Sequence, residues 1–164
     1  MFLLTTLRSI AHREAVEHSN IPHRDASAGN ILITKDRRGM LSDWDMAKTI
    51  NTEGARQPGR TGTWLFMSAR MLQNPGKTHD IQDDMESFVH VLIYIALIYT
   101  PLDMADSSHL AGLIRELYYE ETTLPDGKNV GGKGKKISFY EQWVPNQVVF
   151  KCRPVQHLVH RLVK

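Results

Sequence analysis

The chain has 164 residues, 41% apolar and 23% charged, with 11 Gly and 7 Pro, an ordinary composition for one domain able to bury a core unaided. Its 20 basic and 18 acidic residues leave a net charge of +2, too balanced for a nucleic-acid or membrane-surface footprint. The single cysteine, Cys152, cannot form an internal disulfide, and the opening Met-Phe-Leu-Leu-Thr-Thr-Leu-Arg lacks the basic leader of a signal peptide. The longest apolar run, Val91 to Tyr99, is far short of the roughly 18 residues a membrane span needs. These features predict an intracellular protein of cytoplasm or nucleus, not secreted and not membrane-bound.

Leu7, Ile10, Ala11 and Ala15 fall on helical spacing, predicting a first helix over residues 5–18 that Asn20-Ile21-Pro22 ends. Ile31-Leu32-Ile33 and Met40-Leu41-Ser42 flank a polar turn, the pattern of a small β-hairpin. From Asp43 to about Arg70 no period holds, and Gly54, Pro58, Gly59 and Gly62 mark one long loop, of the kind that in a compact domain carries function. Asp83-Asp84 then opens the strongest helix, 83–99, its acidic pair suited to the positive end of the helix dipole. Its second half is apolar on every side, predicting burial on every side. Pro101 stops it. Leu110, Leu113, Ile114, Leu117 and Tyr118 form the apolar stripe of a further helix, residues 125–136 read as a Gly/Lys-rich flexible loop, and Val155, Leu158, Val159, Leu162 and Val163 mark a last amphipathic helix. The expected content is mainly α with one hairpin near the front.

Chemistry concentrates in His23-Arg24-Asp25-Ala26-Ser27-Ala28-Gly29-Asn30 and, past the hairpin, Asp43-Trp44-Asp45. A strand pair carries the chain out and back, so Asp43 can return beside Asn30. Two oxygen ligands there, one charged, suit Mg²⁺, which takes few protein ligands and completes its shell with water and phosphate oxygens. Asp25 is left to orient a hydroxyl and accept its proton. That is a phosphoryl-transfer arrangement.

These motifs resemble the protein kinases, and in the combination of His23-Arg24-Asp25 with Asn30, Asp43-Trp44-Asp45, Gly62-Thr63-Trp64-Leu65-Phe66-Met67-Ser68-Ala69-Arg70 and Asp84 with Ser87-Phe88 they resemble the fungal-type protein kinase family. The resemblance implies a mainly α, α+β kinase C-terminal lobe in one partial domain over 1–164. Its parts would be a catalytic loop at 23–30, a magnesium loop at 43–45, an activation segment at 43–70, a central helix at 83–99 and C-terminal helices over 107–164. The N-terminal lobe, with its Gly-rich strands and lysine, would be missing, leaving the chain an inactive fragment alone. The implied activity is ATP-dependent phosphoryl transfer to Ser or Thr of a protein substrate. The implied catalytic set is His23, Arg24, Asp25, Ser27 and Thr63: Asp25 as base, Thr63 supporting it, and Arg24 available to a phosphate on the activation segment at Thr49, Thr52 or Thr61. Asn30 and Asp43 would hold Mg²⁺ on the ATP phosphates, Trp64 would shape the peptide-binding face, and Asp84 would brace the catalytic-loop backbone. The sequence departs from the kinase pattern at Ser27, where Ser/Thr kinases place a lysine, and at Asp45, where the magnesium motif ends in Gly. It departs again at Ala69-Arg70, where Pro-Glu is common and its Glu forms a salt bridge, and at Val89, where a Gly often sits.

Two other functions compete. One is a non-catalytic, truncated kinase-like binding module. The other is a small-molecule kinase of aminoglycoside or choline type, against which the long 43–70 segment argues. The remaining motifs read blandly. Gly127 to Gly134 nearly matches a phosphate-binding loop but lacks the hydroxyl position and its strand and helix. Cys152, His157 and His160 read as ordinary helix positions, not a zinc site. His79-Asp80 is half of a phosphohydrolase pair with no second half, and His90 reads as a hydrogen-bonded core histidine.

Overall fold

The computed structural model describes residues 21–47, 62–103, 107–141, 144 and 147–163. The helix expected over 5–18, and Thr49, Thr52 and Thr61, lie outside the described residues. The described part is mainly helical with two small two-stranded antiparallel sheets, an α+β arrangement.

Strands β1 (Ile31–Ile33) and β2 (Gly39–Leu41) pair in the register Ile31↔Leu41, Leu32↔Met40 and Ile33↔Gly39. The turn is closed by Thr34 N donating to Arg38 O (2.9 Å) and Arg37 N to Thr34 O (2.9 Å). Alternation puts Leu41 inside, packed with Ala26 and Phe88, and leaves the pair Leu32 and Met40 exposed on the other face; Ile33, on the Leu41 face but at the far end of the strand, is exposed as well.

The segment expected to be irregular up to Arg70 is ordered earlier than its sequence indicates. A 3₁₀ turn spans Trp64–Phe66, and a short helix, α1, spans Ala69–Gln73. Ser68 starts α1: its buried hydroxyl accepts from Met71 N (3.1 Å) and donates to Asp83 Oδ1 (2.6 Å). Contacts from another element, invisible to local periodicity, impose this order.

The central helix α2 spans Ile81–Tyr99, two residues longer at its start than expected. Its cap is Asp80, whose carboxylate accepts from Gln82 N (2.8 Å) and Asp83 N (3.1 Å), while Asp83 reaches back to Asp80 N (2.9 Å) in a reciprocal capping box. Burial on every side is not what the fold delivers. Ile93, Ala96 and Leu97 are in the core, yet Ile98 is 44% and Tyr99 76% exposed. The reason is one-sided packing: the 3₁₀ turn, helix α3 (Ser107–Tyr118) and helix α5 (Arg153–Leu162) meet α2, and the core they enclose gathers Leu113, Leu117, Tyr118, Val144, Val148, Phe150 and Val159. No described helix is long and apolar enough to cross a membrane.

The Gly/Lys-rich stretch is a second correction. It carries the turn and second strand of a hairpin, β3 (Glu121–Thr123) with β4 (Asn129–Gly131), and the start of the helix α4 (Lys133–Tyr140). The turn repeats the closure of the first hairpin, with Leu124 N donating to Lys128 O (2.8 Å) and Gly127 N to Leu124 O (2.9 Å). A strand and a helix therefore do flank the glycines, but their order is that of a packed corner. Glu120 Oε2 already accepts from Lys133 N (2.8 Å) and Gly134 N (3.2 Å), filling the helix end a phosphate would need.

Candidate active site

The site is built from the segment entering β1, the exit of β2, the start of α2 and the loop ahead of the 3₁₀ turn. Its foundation is Asp84, fully buried on α2. One carboxylate oxygen accepts from His23 N (2.6 Å), the other from Arg24 N (2.9 Å) and pairs with His79 Nε2 (2.8 Å). Arg24 needs this support because its φ is +72°, a left-handed conformation costing a residue with a Cβ about 1–3 kcal/mol. Two charge-assisted bonds, each worth about 1.5–3 kcal/mol, suffice to offset it. Past the reversal, Asp25 is half-buried and meets Thr63 and Asn30.

His23 is buried against Trp44, ring centroids 4.7 Å apart and edge-on. Its Nε2 donates to Ser42 O (2.9 Å) and its Nδ1 accepts from Asp25 N (3.3 Å), tying residues 23–25 to the exit of β2. His79, which the sequence suggests as half of a phosphohydrolase pair, is instead a partner of Asp84.

Asp25 is held by three donors. Oδ1 accepts from Thr63 N (2.8 Å) and Thr63 Oγ1 (2.9 Å), and Oδ2 accepts from Asn30 Nδ2 (3.1 Å). The same Asn30 nitrogen reaches Asp25 O (2.9 Å). Thr63 approaches this closely because Gly62 precedes it: at φ +112°, a Cβ there would stand 2.6 Å from Arg24 O. The motif drew attention to Gly62 in the sequence, but its reason is this contact.

Asn30 and Asp43 are brought to neighbouring strand ends. Ser42 N (2.8 Å) and Ser42 Oγ (3.2 Å) both donate to Asn30 O, and Asp43 follows directly, exposed and left-handed at φ +61°. With its amide nitrogen committed to Asp25, Asn30 keeps Oδ1 as its metal-binding atom, so the donor types at these strand ends are an amide oxygen and a carboxylate, chemistry that fits Mg²⁺. Ser27 lies beneath, 5% exposed, its backbone oxygen accepting from Asn30 N (3.2 Å). Arg24 Nε is buried with no hydrogen-bond partner among the described residues.

Comparison with known proteins follows the same residues. The family described as "Fungal protein kinase" matches residues 2–96. The chain belongs to the fungal protein kinase family. It is also 27% identical over 117 residues to the mouse mixed lineage kinase domain-like protein, covering 69% of this chain and 25% of that protein. It is 25% identical over 134 residues to a probable leucine-rich repeat receptor-like protein kinase of Arabidopsis thaliana, covering 77% of this chain and 12% of that one. The chain thus spans a quarter or less of the length of these relatives.

For a member of the fungal protein kinase family, the residues behind the Trp64–Ala69 segment are the ones sequence reasoning missed. Glu86 Oε1 accepts from Ala69 N (2.6 Å) and pairs with His90 Nε2 (3.3 Å). Burial works to raise the Glu86 carboxyl, but the bonds from His90 and Ala69 and the nearby Lys135 charge hold it below the ordinary range. His90 is pushed down to about 4 by its burial, against the pull of Glu86, and stays neutral as a hydrogen-bonded core residue. Lys135, expected in a solvated loop, is fully buried. Nothing local marks it, since it is one of four lysines among glycines.

Proposed function

We propose that this chain is the C-terminal lobe of a protein kinase that transfers the γ-phosphoryl group of ATP to a Ser or Thr hydroxyl of a protein substrate. The observation that carries this reading is the fixed Asp25 carboxylate, oriented by Thr63 and by the same Asn30 whose backbone oxygen is bonded by Ser42, the residue before Asp43. Asp25 orients the incoming hydroxyl and takes its proton as the oxygen bonds to the γ-phosphorus, and the bond to ADP breaks. Asn30 and Asp43 would hold Mg²⁺, which neutralises phosphate charge when bound. Arg24, its buried Nε unpartnered among the described residues, stands ready for a phosphate on the activation segment. His23, Asp84 and Thr63 position; they do not react. Leu32 and Met40, paired and exposed on one face of the hairpin, support a second lobe covering that face and completing the ATP cleft.

The full-length protein tests the reading. Asp25→Asn and Asp43→Ala should each lower Mg·ATP-dependent phosphate transfer to a protein substrate by about 10²–10⁴-fold. Unchanged turnover in either variant removes the assignment. A binding role without chemistry is the second reading, favoured by the buried Ser27 where Ser/Thr kinases carry a lysine. It predicts no transfer even by the wild-type protein.

A further inference from the structure

Behind the segment that follows Thr63 lies a buried cation. Lys135 Nζ, on the first turn of α4, donates to Met67 O (2.7 Å) and Trp64 O (3.3 Å) and stands 5.7 Å from the centre of the Tyr118 ring. These two carbonyls close the two ends of the 3₁₀ turn, so one ammonium group spans it. From the other side, Glu86 takes Ala69 N and Asp83 takes the Ser68 hydroxyl. The segment therefore hangs between an acid pair on α2 and a lysine on α4.

The lysine is aimed by tight packing. A Cβ at Gly134 would lie 2.4 Å from Glu116 O, so α4 sits against α3 as only glycine allows, and Glu120 fixes its first two amides. Kinases commonly hold this part of the chain with a salt bridge from the glutamate that Arg70 replaces here. Arg70 instead points to Gln82, its Nη2 donating to Oε1 (2.7 Å). Anchoring of the segment falls to other residues.

We propose that Lys135 is the positioning residue for protein-substrate docking, setting the Trp64–Met67 backbone through its two carbonyls with Glu86 as the opposing anchor. This rests on the kinase reading above, and it deepens that reading by locating what shapes the peptide-binding face. The groups facing Lys135 are Glu86 and His90 from α2 and Tyr118 from α3. Burial draws its amine down to about 7 against the attraction of Glu86, so the anchor changes charge in the neutral range.

The test uses the full-length protein and the variants Lys135→Met and Glu86→Gln. Lys135→Met should raise KM for protein substrate about tenfold while moving KM for ATP less than about twofold, because only the docking segment is loosened. Amide exchange at Phe66, Met67 and Leu72 should quicken about tenfold or more in the same variant. In the wild type, KM for protein substrate should climb between about pH 6 and 8, and Glu86→Gln should move that climb to lower pH by removing the charge that favours the ammonium. Loss of kcat with substrate KM unmoved, or unchanged exchange in Lys135→Met, overturns the proposal. An unfolded Lys135→Met leaves the decision to Glu86→Gln, where an unmoved pH profile overturns it. Absence of any transfer by the wild type would overturn the kinase reading instead, and the exchange measurement would still decide the anchor.

Discussion

Gly62 shows how narrowly the candidate site is fitted. Its φ of +112° and the 2.6 Å approach of its missing Cβ to Arg24 O leave no room for a side chain. Gly62→Ala should therefore cost about 1–3 kcal/mol, measurable as a lower denaturant midpoint. It should also displace both Thr63 donors from Asp25 and, on the proposed kinase reading, cut phosphate transfer by the full-length protein about 10²-fold. Retention of both stability and turnover would mean that the loop has another way to accommodate a Cβ. At this scale the meeting of Asp25 with Asn30 and Thr63 was legible, Asn30 from its spacing in a short motif and Thr63 from the family resemblance. His79 was not. Its role depends on Asp84 and on the fold that sets both against the backbone of residues 23 and 24.

Among the elements, α2 is the one whose start the sequence misplaces, and the cause is instructive. Asp83 and Asp84 look like a dipole-complementing pair, but their carboxylates point to different partners. Asp83 closes the capping box and holds Ser68, whereas Asp84 supports Arg24. The cap itself is Asp80, which also pairs with Lys77 (3.0 Å). Asp80→Ala should lower stability by about 0.5–2 kcal/mol with an unchanged denaturant slope, as expected for loss of a cap without a change of fold. A larger loss, or a changed slope, would show that α2 depends on this end for more than its first turn. The first hairpin follows from two apolar runs flanking a polar turn, and the last helix from its periodicity. The second hairpin and α4 do not, since Gly131, Gly132 and Gly134 read as flexibility until Trp64, Leu72 and Glu116 are seen packed against them.

Among the described residues, burial displaces the proton affinity of His90, Lys135 and Tyr118 far enough to bear on how stability answers pH. His90 falls to about 4 in the fold from an ordinary 6.5, so the unfolded chain binds more protons between those values, and its contribution is lost as pH falls from 6.5 toward 4. Lys135 falls to about 7 from 10.5, so stability rises again from about pH 7 upward. Tyr118 is raised well above 10.0, first by burial and then by Tyr94, so the unfolded chain gives up its proton first and stability declines above about pH 10. Denaturation followed from about pH 4 to 11 should show a maximum near pH 9 to 10, and Lys135→Met should remove the rise above pH 7. A flat profile over about pH 7 to 9 in the wild type would contradict the buried charge at Lys135.

Asp84 also orders events in time. It lies 61 residues beyond His23 and 60 beyond Arg24, whose backbone it supports. Chains are made from the N-terminus at about 5–20 residues per second, so the loop is made about 3–12 s before its supporting carboxylate exists. During that interval nothing from α2 holds Arg24 left-handed, and Asp25 has no set direction. Thr63, too, is made long after Asp25 and well before Asp84. The geometry of the site is therefore a late product of synthesis, completed only once the central helix can fold back onto a loop already waiting outside the ribosome.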